Sequence, residues 1–302
     1  MYKIGIIGAG KVGSSLGNYF SKLRNCQITG YYSRSVESSL FSAQYTCSKV
    51  FSTIEELVQE SNILMITTPD DTISKIWKKL TQMNIKEKMI CHCSGSLSSD
   101  IFENAKNYGA YVCSLHPLMA IHNRKLNVEK LRAAFFTLEG NPLAVQSWES
   151  ILKEAKNSYK VLEKTDKRAY HAASVFMSNF VISLGKVAIR LLMSCHFTEK
   201  ESLKALSILA QENLRTFLQQ GPKDSLTGPV ERNDLGTLQK HLSLFQENKD
   251  IEVEILYRLL SLELSKIAME KNPTQNYQAL QTMLKENEIY EKYCTKLSRG
   301  KK

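Results

Sequence analysis

The 302-residue sequence contains no run of about 18 uninterrupted apolar residues, the length a helix needs to cross a bilayer. Its longest apolar-leaning segment, Ala172 to Met193, is broken by Ser174, Ser178, Asn179, Ser183, Lys186 and Arg190. No export signal opens the chain either. Met1-Tyr2-Lys3 runs straight into Ile4-Gly5-Ile6-Ile7, without a small-residue cleavage pattern behind a longer apolar stretch. Both absences lead us to expect a cytoplasmic protein with no membrane partner. A disulfide framework is missing as well. The seven cysteines, Cys26, Cys47, Cys91, Cys93, Cys113, Cys195 and Cys294, are odd in number and irregular in spacing, as reduced thiols would be. Cys91-His92-Cys93 has no second cluster to complete a tetrahedral metal site, so no metal is expected. In a strand, alternation would set His92 opposite the two cysteines. The net charge is +10, yet the basic residues are scattered and dense only in the tail Lys296–Lys302. That distribution argues against a nucleic-acid surface and suits a polyanionic small ligand.

What is present is a change of pattern part-way along the chain. Up to about residue 163, short β-rich runs alternate with helical stretches. The strand candidates are Lys3–Ile7, Gln27–Tyr32, Lys49–Phe51, Ile63–Thr67, Met89–Cys93, Ala110–Leu115, Ala134–Leu138 and Tyr159–Leu162. Helical patterns such as Lys11–Leu23, Thr53–Glu60, Asp71–Leu80 and Leu143–Lys156 lie between them. Apolar strands separated by helices predict an α/β fold with a mainly parallel sheet covered on both faces. From Thr165 onward only helical periodicity remains, over about 166–195, 199–219, 232–246, 250–270 and 275–296. Gly221-Pro222 and Gly228-Pro229 interrupt it. Two domains are expected, 1–164 and 165–302, a doubly wound sheet followed by an all-α domain.

The first strand candidate ends in Gly8-Ala9-Gly10-Lys11-Val12-Gly13 and opens directly into a helix, the context in which G-x-G-x-x-G binds a dinucleotide. Gly8 allows the tight turn, Gly10 lets the backbone approach a pyrophosphate, and Gly13 lets helix and strand pack closely. The anion then faces the positive helix N-terminus. The dinucleotide-binding, Rossmann-type reading follows from this placement. An NAD site usually carries Asp or Glu after the second strand to bond the ribose 2′-hydroxyl. This chain has no acidic residue between Lys11 and Val36 and offers Ser33-Arg34-Ser35 instead. An Arg fork with two hydroxyls suits a 2′-phosphate, so NADP(H) is the expected cofactor. Thr68 and Pro69 after the fourth strand are expected to line it, with Asp71 a helix N-terminal residue. Ser94-Gly95, after the fifth strand, either flanks the nicotinamide or forms a plain turn.

Three further segments complete a wider pattern: Ser114-Leu115-His116-Pro117-Leu118, Tyr170-His171-Ala172-Ala173 leading to Ser178-Asn179-Phe180, and Thr227-Gly228-Pro229-Val230-Glu231-Arg232-Asn233-Asp234. In this order the motifs resemble a family of Rossmann-like oxidoreductases with a C-terminal domain of unknown function. That family is related to pyrroline-5-carboxylate reductase and to deazaflavin-dependent NADP oxidoreductases. The resemblance covers about residues 2 to 290. It implies a helical second domain like that of 6-phosphogluconate dehydrogenase, serving homodimerisation and closure of the active site. It also implies NADP binding and a reductase activity, and it points to His116, His171, Ser178, Asn179 and Arg232 as cleft residues. The family usually has a small residue before that Arg and Gly after it, where this chain has Glu231 and Asn233.

Hydride transfer to C=O or C=N needs alignment and a proton donor, a role suited to histidine. His116 precedes Pro117, which favours an extended backbone at a strand end. His171, Ser174 and Ser178 share a helix face, with Asn179 at its edge; they either pair with one another or face a ligand. Arg232 either clamps a substrate carboxylate or pairs with Asp234. Many β-hydroxyacid dehydrogenases have a lysine four residues before such an asparagine, but here that position is Val175, and Lys167 and Arg168 lie near the helix start. The expectation is an NADP(H)-dependent oxidoreductase acting on a small carbonyl or imine, carrying a carboxylate. A dinucleotide-responsive sensor without turnover is the alternative.

Overall fold

The computed structural model describes residues 1–285. The last part of the helix expected at 275–296, Cys294 and the tail Lys296–Lys302 lie outside the described residues. The chain divides into two compact units, Met1–Val181 and a second beginning at Ile182.

The first unit is built on one eight-stranded sheet. Its strands are β1 (Tyr2–Ile7), β2 (Cys26–Tyr32), β3 (Lys49–Val50), β4 (Ile63–Ile66), β5 (Met89–His92), β6 (Tyr111–Pro117), β7 (Phe136–Gly140) and β8 (Tyr159–Val161). They lie in the order β3-β2-β1-β4-β5-β6-β7-β8. Every neighbouring pair is parallel except β6 and β7. Strand order reverses at β1/β4, so the loops after β1 and β4 part there and open a crevice at the carboxyl edge.

Period-two alternation assigns each strand residue to a face. Ile4, Ile6, Ile63, Met65 and Cys91 point into one apolar core. That core is covered by α1 (Lys11–Phe20), α2 (Val36–Thr46), α5 (Val128–Arg132) and α6 (Pro142–Ala155). Ile7, Leu64, Ile66 and Ile90 point into the other, under α3 (Ile54–Glu60) and α4 (Asp70–Leu80). Trp148 of α6 is fully buried in the first core, and Trp77 of α4 packs edge-on against Phe102 in the second. Buried side chains of this size each contribute about 1.5–3 kcal/mol, so two such cores hold the sheet from both sides.

The strand ends differ from expectation mainly at β6 and β7. β6 runs on to Pro117, and β7 spans Phe136–Gly140 where 134–138 was expected. The antiparallel register explains the shift, for it pairs Pro117 with Phe136 and Cys113 with Gly140. A Cβ on Gly140 would lie 2.5 Å from the Val112 carbonyl oxygen, so this edge needs a glycine.

The helix expected over 166–195 is two helices, α7 (Lys167–Phe176) and α8 (Asn179–Ser194), parted at Met177-Ser178. The Ser174 hydroxyl donates to the Tyr170 carbonyl, and the Ser178 hydroxyl to the Ser174 carbonyl. Such i−4 back-bonding competes with the helical ladder and bends helices. By length and mean hydropathy (1.6), residues 164–194 could cross a membrane, and no residue of the most apolar window is buried.

The second unit holds α9 (Glu199–Ser225), broken at Gly221 with φ 81°, then α10 (Leu235–Glu247), α11 (Ile251–Lys271) and α12 (Gln278–Leu284). Its core gathers Leu238 and Leu242, Ala268, and Leu280 and Leu284 from the last three helices, with Leu226 and Val230 from the preceding loop. Asp234 caps α10 by accepting from the Thr237 N–H at 3.0 Å.

Candidate active site at the carboxyl edge of the sheet

The glycine loop has the geometry its sequence predicts. Gly8 takes φ 109°, a conformation L side chains rarely adopt, and its N–H donates to the Tyr32 carbonyl at 2.8 Å. The Thr67 hydroxyl donates to the Gly8 carbonyl at 2.6 Å, tying the loop to the end of β4. A Cβ on Gly13 would lie 2.1 Å from the Gly8 oxygen, so only glycine lets α1 sit this close. At Gly10 a Cβ would meet nothing within 4 Å, leaving open space beside the backbone. Gly10 is also the cap position of α1, without a side-chain hydrogen bond, and the first turn carries no acidic residue. The amides of that turn therefore stay available, and the helix end is positive. Ala9 is buried and packs in the core, and Val12 packs against it, while Lys11 is exposed. These residues fit a dinucleotide pyrophosphate.

Ser33, Arg34 and Ser35 follow β2 on the same edge. Arg34 is exposed, and the Ser35 hydroxyl caps α2 by accepting from the Ser38 N–H at 3.2 Å. A residue that sequence patterning did not single out joins them. Arg124, from the loop after β6, donates to the Ser38 hydroxyl at 3.0 Å and lies 5.7 Å above the Phe41 ring. No periodic signal could have found it, because the loop reaches this place only through the sheet topology. Thr68 has a buried hydroxyl with no hydrogen-bond partner among the described residues, and Pro69 occupies the cap position of α4.

Asp70 and Asp71 form the first turn of α4. The Asp70 carboxylate accepts from the hydroxyls of Ser94 at 2.7 Å and Ser96 at 2.8 Å. The Ser94 oxygen in turn accepts the N–H groups of Ser96 and Leu97, so residues 94–97 form a turn locked to α4. Behind it His92 is fully buried and faces Phe102; its Nδ1 accepts the Ser94 N–H. Burial holds its pKa down at about 4.

Two histidines converge on this turn. A Cβ on Gly95 would lie 2.9 Å from His116 Nε2 and 2.9 Å from His171 Nδ1. Glycine at 95 is therefore what lets both rings close over the backbone. His116 Nδ1 is hydrogen-bonded to the Tyr170 hydroxyl at 2.7 Å, the rings meeting edge to face. His171 Nδ1 is buried and has no hydrogen-bond partner among the described residues. An unsatisfied buried nitrogen costs about 1–3 kcal/mol, which marks the position as one a ligand could satisfy. Burial lowers the His116 pKa to about 4, with the Lys167 charge and His171 acting in the same direction.

Lys167 is the second residue that sequence reasoning did not place here. It is only 2% exposed. Its ammonium donates to the Ser114 hydroxyl at 2.8 Å and the Ser94 carbonyl at 3.3 Å, and it lies 5.6 Å from the centre of the Tyr170 ring. It thus joins the ends of β5 and β6 to the first turn of α7. Burial lowers its pKa, while the acidic groups Glu139, Cys93 and Asp70 act in the opposite sense.

Of the remaining candidates, those in the first unit stay outside this cluster. Asn179 is exposed and accepts from the Ser178 hydroxyl at 2.9 Å. Ser174 and Ser178 bond back to their own helix. Arg232 is exposed in the second unit. Beside it Asn233 takes φ 56°, a left-handed conformation that asparagine tolerates better than other residues with a Cβ. No group of three or more His, Cys, Asp and Glu able to hold a metal occurs among the described residues.

Residues 1–117 match the model of a Rossmann-like domain, and residues 134–264 match a domain of unknown function, DUF2520. No curated protein matches the chain. Among solved structures, a protein from Bacteroides fragilis named as a candidate NADP oxidoreductase is 20% identical. The match covers 88% of this chain and 98% of that one at a TM-score of 0.70. Protein TM1727 from Thermotoga maritima is 24% identical over 89% of this chain and 99% of its own, at 0.69. An imine reductase from Myxococcus stipitatus in complex with NADP+ is 17% identical over 89% and 93%, at 0.59. At these identities the likeness is one of fold.

Proposed function

We propose, for a chain that joins a Rossmann-like domain to DUF2520, that it is an NADP(H)-dependent oxidoreductase acting on a small carbonyl or imine compound, with a carboxylate on the substrate. The observation that carries the reading is the convergence of His116 Nε2 and His171 Nδ1 over Gly95. They stand on the same sheet edge as an open glycine cradle and an uncapped helix end. Structural neighbours named for NADP or imine reduction support the same reading.

When bound, the dinucleotide would supply a hydride. The residues of this chain do the rest. Gly8, Gly10 and Gly13 with the first turn of α1 hold the pyrophosphate, and Thr68, Pro69, Ser94 and Gly95 line the way to the substrate. Ser33, Arg34 and Ser35, joined by Arg124, hold the 2′-phosphate. A Tyr170 hydroxyl that donates to His116 Nδ1 leaves the ring proton on Nε2, facing the substrate position. His116 then gives a hydrogen bond, and finally a proton, to the reduced oxygen or nitrogen. His171 accepts or donates from the other side. Asn179 enters the proposal as a substrate contact, and Arg232, considered by itself in the second unit, as a group able to clamp a carboxylate.

Exposed apolar side chains on α8 and α9, among them Ile182, Leu184, Ile208 and Leu209, support a homodimer formed through the helical domain. The six described cysteines are unpaired, in keeping with a cytoplasmic setting. Calorimetry with NADPH and NADH tests the cofactor. NADPH should bind about 10–100-fold more tightly, and Arg34→Ala should abolish the difference, a loss typical of a charge-assisted contact. NADPH oxidation against carbonyl and imine compounds tests the reaction, and it should vanish in His116→Ala and His171→Ala. Tight NADPH binding with no turnover of any of them would instead fit a dinucleotide sensor.

A further inference from the structure

The buried ammonium of Lys167 is a charge that the proposed chemistry has not yet used. It has no carboxylate within ion-pairing distance among the described residues. The acidic groups that act on it are occupied elsewhere. Glu139 of β7 accepts from the Ser99 N–H and hydroxyl, both at 2.7 Å, and Asp70 of α4 accepts from Ser94 and Ser96. Cys93, just after β5, lies on the same side, and the histidines His92, His116 and His171 complete the titratable surroundings. Two of the three ammonium donors go to Ser114 and Ser94, and the charge sits over the ring of Tyr170, whose hydroxyl holds His116. A buried cation therefore lies against the Tyr170 ring whose hydroxyl holds His116, and its charge acts on that imidazole.

Resting on the redox reading above, we propose that Lys167 makes the His116–His171 site selective for an electron-rich oxygen, so that the substrate class is a carbonyl and not a cationic iminium. The two reductions differ in the charge they create. A carbonyl carbon that takes a hydride sends its C–O π pair to oxygen, which then takes a proton to become an alcohol. Negative charge grows at that oxygen, and the cofactor is left oxidised. An iminium carbon that takes the same hydride becomes a neutral amine, so positive charge must first be brought in and is then lost. A positive group behind the site favours the first course and opposes the second. The shift of His116 follows the same geometry, since Lys167 outranks Asp70 among the charges acting on it. The neutral ring keeps the form of a donor. Lys167 acts here through His116 and Tyr170, as a positioning and charge-setting residue.

The test uses the full chain without nucleotide, so its failure is separable from failure of NADPH to bind. Acetate and methylammonium are titrated separately while the imidazole Cε1–H signals of His116 and His171 are followed by NMR. Acetate should shift both signals and methylammonium neither. Lys167→Met should weaken the acetate response at least about tenfold, the size expected for loss of a nearby unit charge. Lys167→Arg, which keeps the charge, should retain most of it. In the same spectra Lys167→Met should raise the His116 pKa, a readout that loss of packing alone would not move in that direction. Ser114→Ala, which loosens the tether but keeps the charge, guards against a Lys167 variant that fails to fold and should remain acetate-selective. A response to methylammonium, no response to either ion, or wild-type reduction of a cyclic imine faster than its matched ketone overturns the proposal.

Discussion

Helices α6 and α8 are both apolar on one side, and the chain treats them in opposite ways. α6 buries Ala144, Val145, Trp148, Ile151, Leu152 and Ala155 against the sheet. α8, with Phe180, Ile182 and Leu184 among its residues, buries nothing. α9 repeats the contrast over 27 residues, with Ser202 its single buried one. Amphipathic pattern says that a face wants cover, but it does not say what covers it. In the sheet domain the cover is in the same chain. On α8 and α9 no such cover is found among the described residues, which is why a second copy enters the proposal.

The sharpest way to break this contrast is to empty the covered side. Trp148 is fully buried and packs on Phe20 with ring centres 5.3 Å apart. Trp148→Ala should cost about 3–5 kcal/mol, read as a lower denaturation midpoint at unchanged slope. A loss below about 1 kcal/mol would mean that α6 is not held as described.

The next effect is acid sensitivity of the sheet domain. Burial depresses the folded pKa of His92 to about 4, against an ordinary value of 6.5. Below 6.5 the unfolded chain takes up a proton that the folded chain refuses. Stability is therefore full above about pH 6.5 and falls as the pH drops toward 4. His92 alone should account for roughly 3 kcal/mol across that window. Chemical denaturation at pH 7 and at pH 4.5 measures the fall, and His92→Gln should flatten it. His116, depressed to about the same value, adds to the slope in the same direction.

Gly13→Ala comes third, at about 1–3 kcal/mol for overpacking, because the added methyl meets backbone and not a yielding side chain. It should also weaken NADPH binding, since the Gly8–Gly13 contact shapes the cradle. Gly10→Ala, in open space, should leave stability nearly unchanged while weakening NADPH binding. Equal stability losses in the two variants would sink the assignment of the loop.

These contrasts also mark what is legible in the sequence. The alternation of strands and helices over the first 163 residues, the mainly parallel sheet, the glycine-loop turn between β1 and α1 and the turn at Ser94-Gly95 all follow from local rules of alternation, turn chemistry and capping. Lys167 did not. Periodicity tells which way a helix residue faces but not how deep it lies, and a lysine in a first turn reads as solvated. Its burial depends on Ser94 and Ser114, which are 73 and 53 residues away. Asp70 escaped for a similar reason, since a carboxylate in a first helical turn is already explained by the helix dipole. The break between α7 and α8 was hidden because Ser174 and Ser178 disturb the backbone through hydrogen bonds that hydropathy does not register.

The smallest expected effect on stability tests the uncovered side. Phe180 is 46% exposed and Ile208 73% exposed, so Phe180→Ala or Ile208→Ala in an isolated chain should cost less than about 0.5 kcal/mol. The same positions should matter far more to association. If a second copy lies on α8 and α9, Ile182→Glu together with Leu209→Glu should carry two charges into a buried apolar interface. Sedimentation velocity should then show a dimer for the wild type and a monomer for the double variant, while the acid and denaturant transitions of the sheet domain stay where they were. A wild-type monomer at all concentrations would break the contrast at its root. A dimer indifferent to both substitutions would move the interface to another face of the chain.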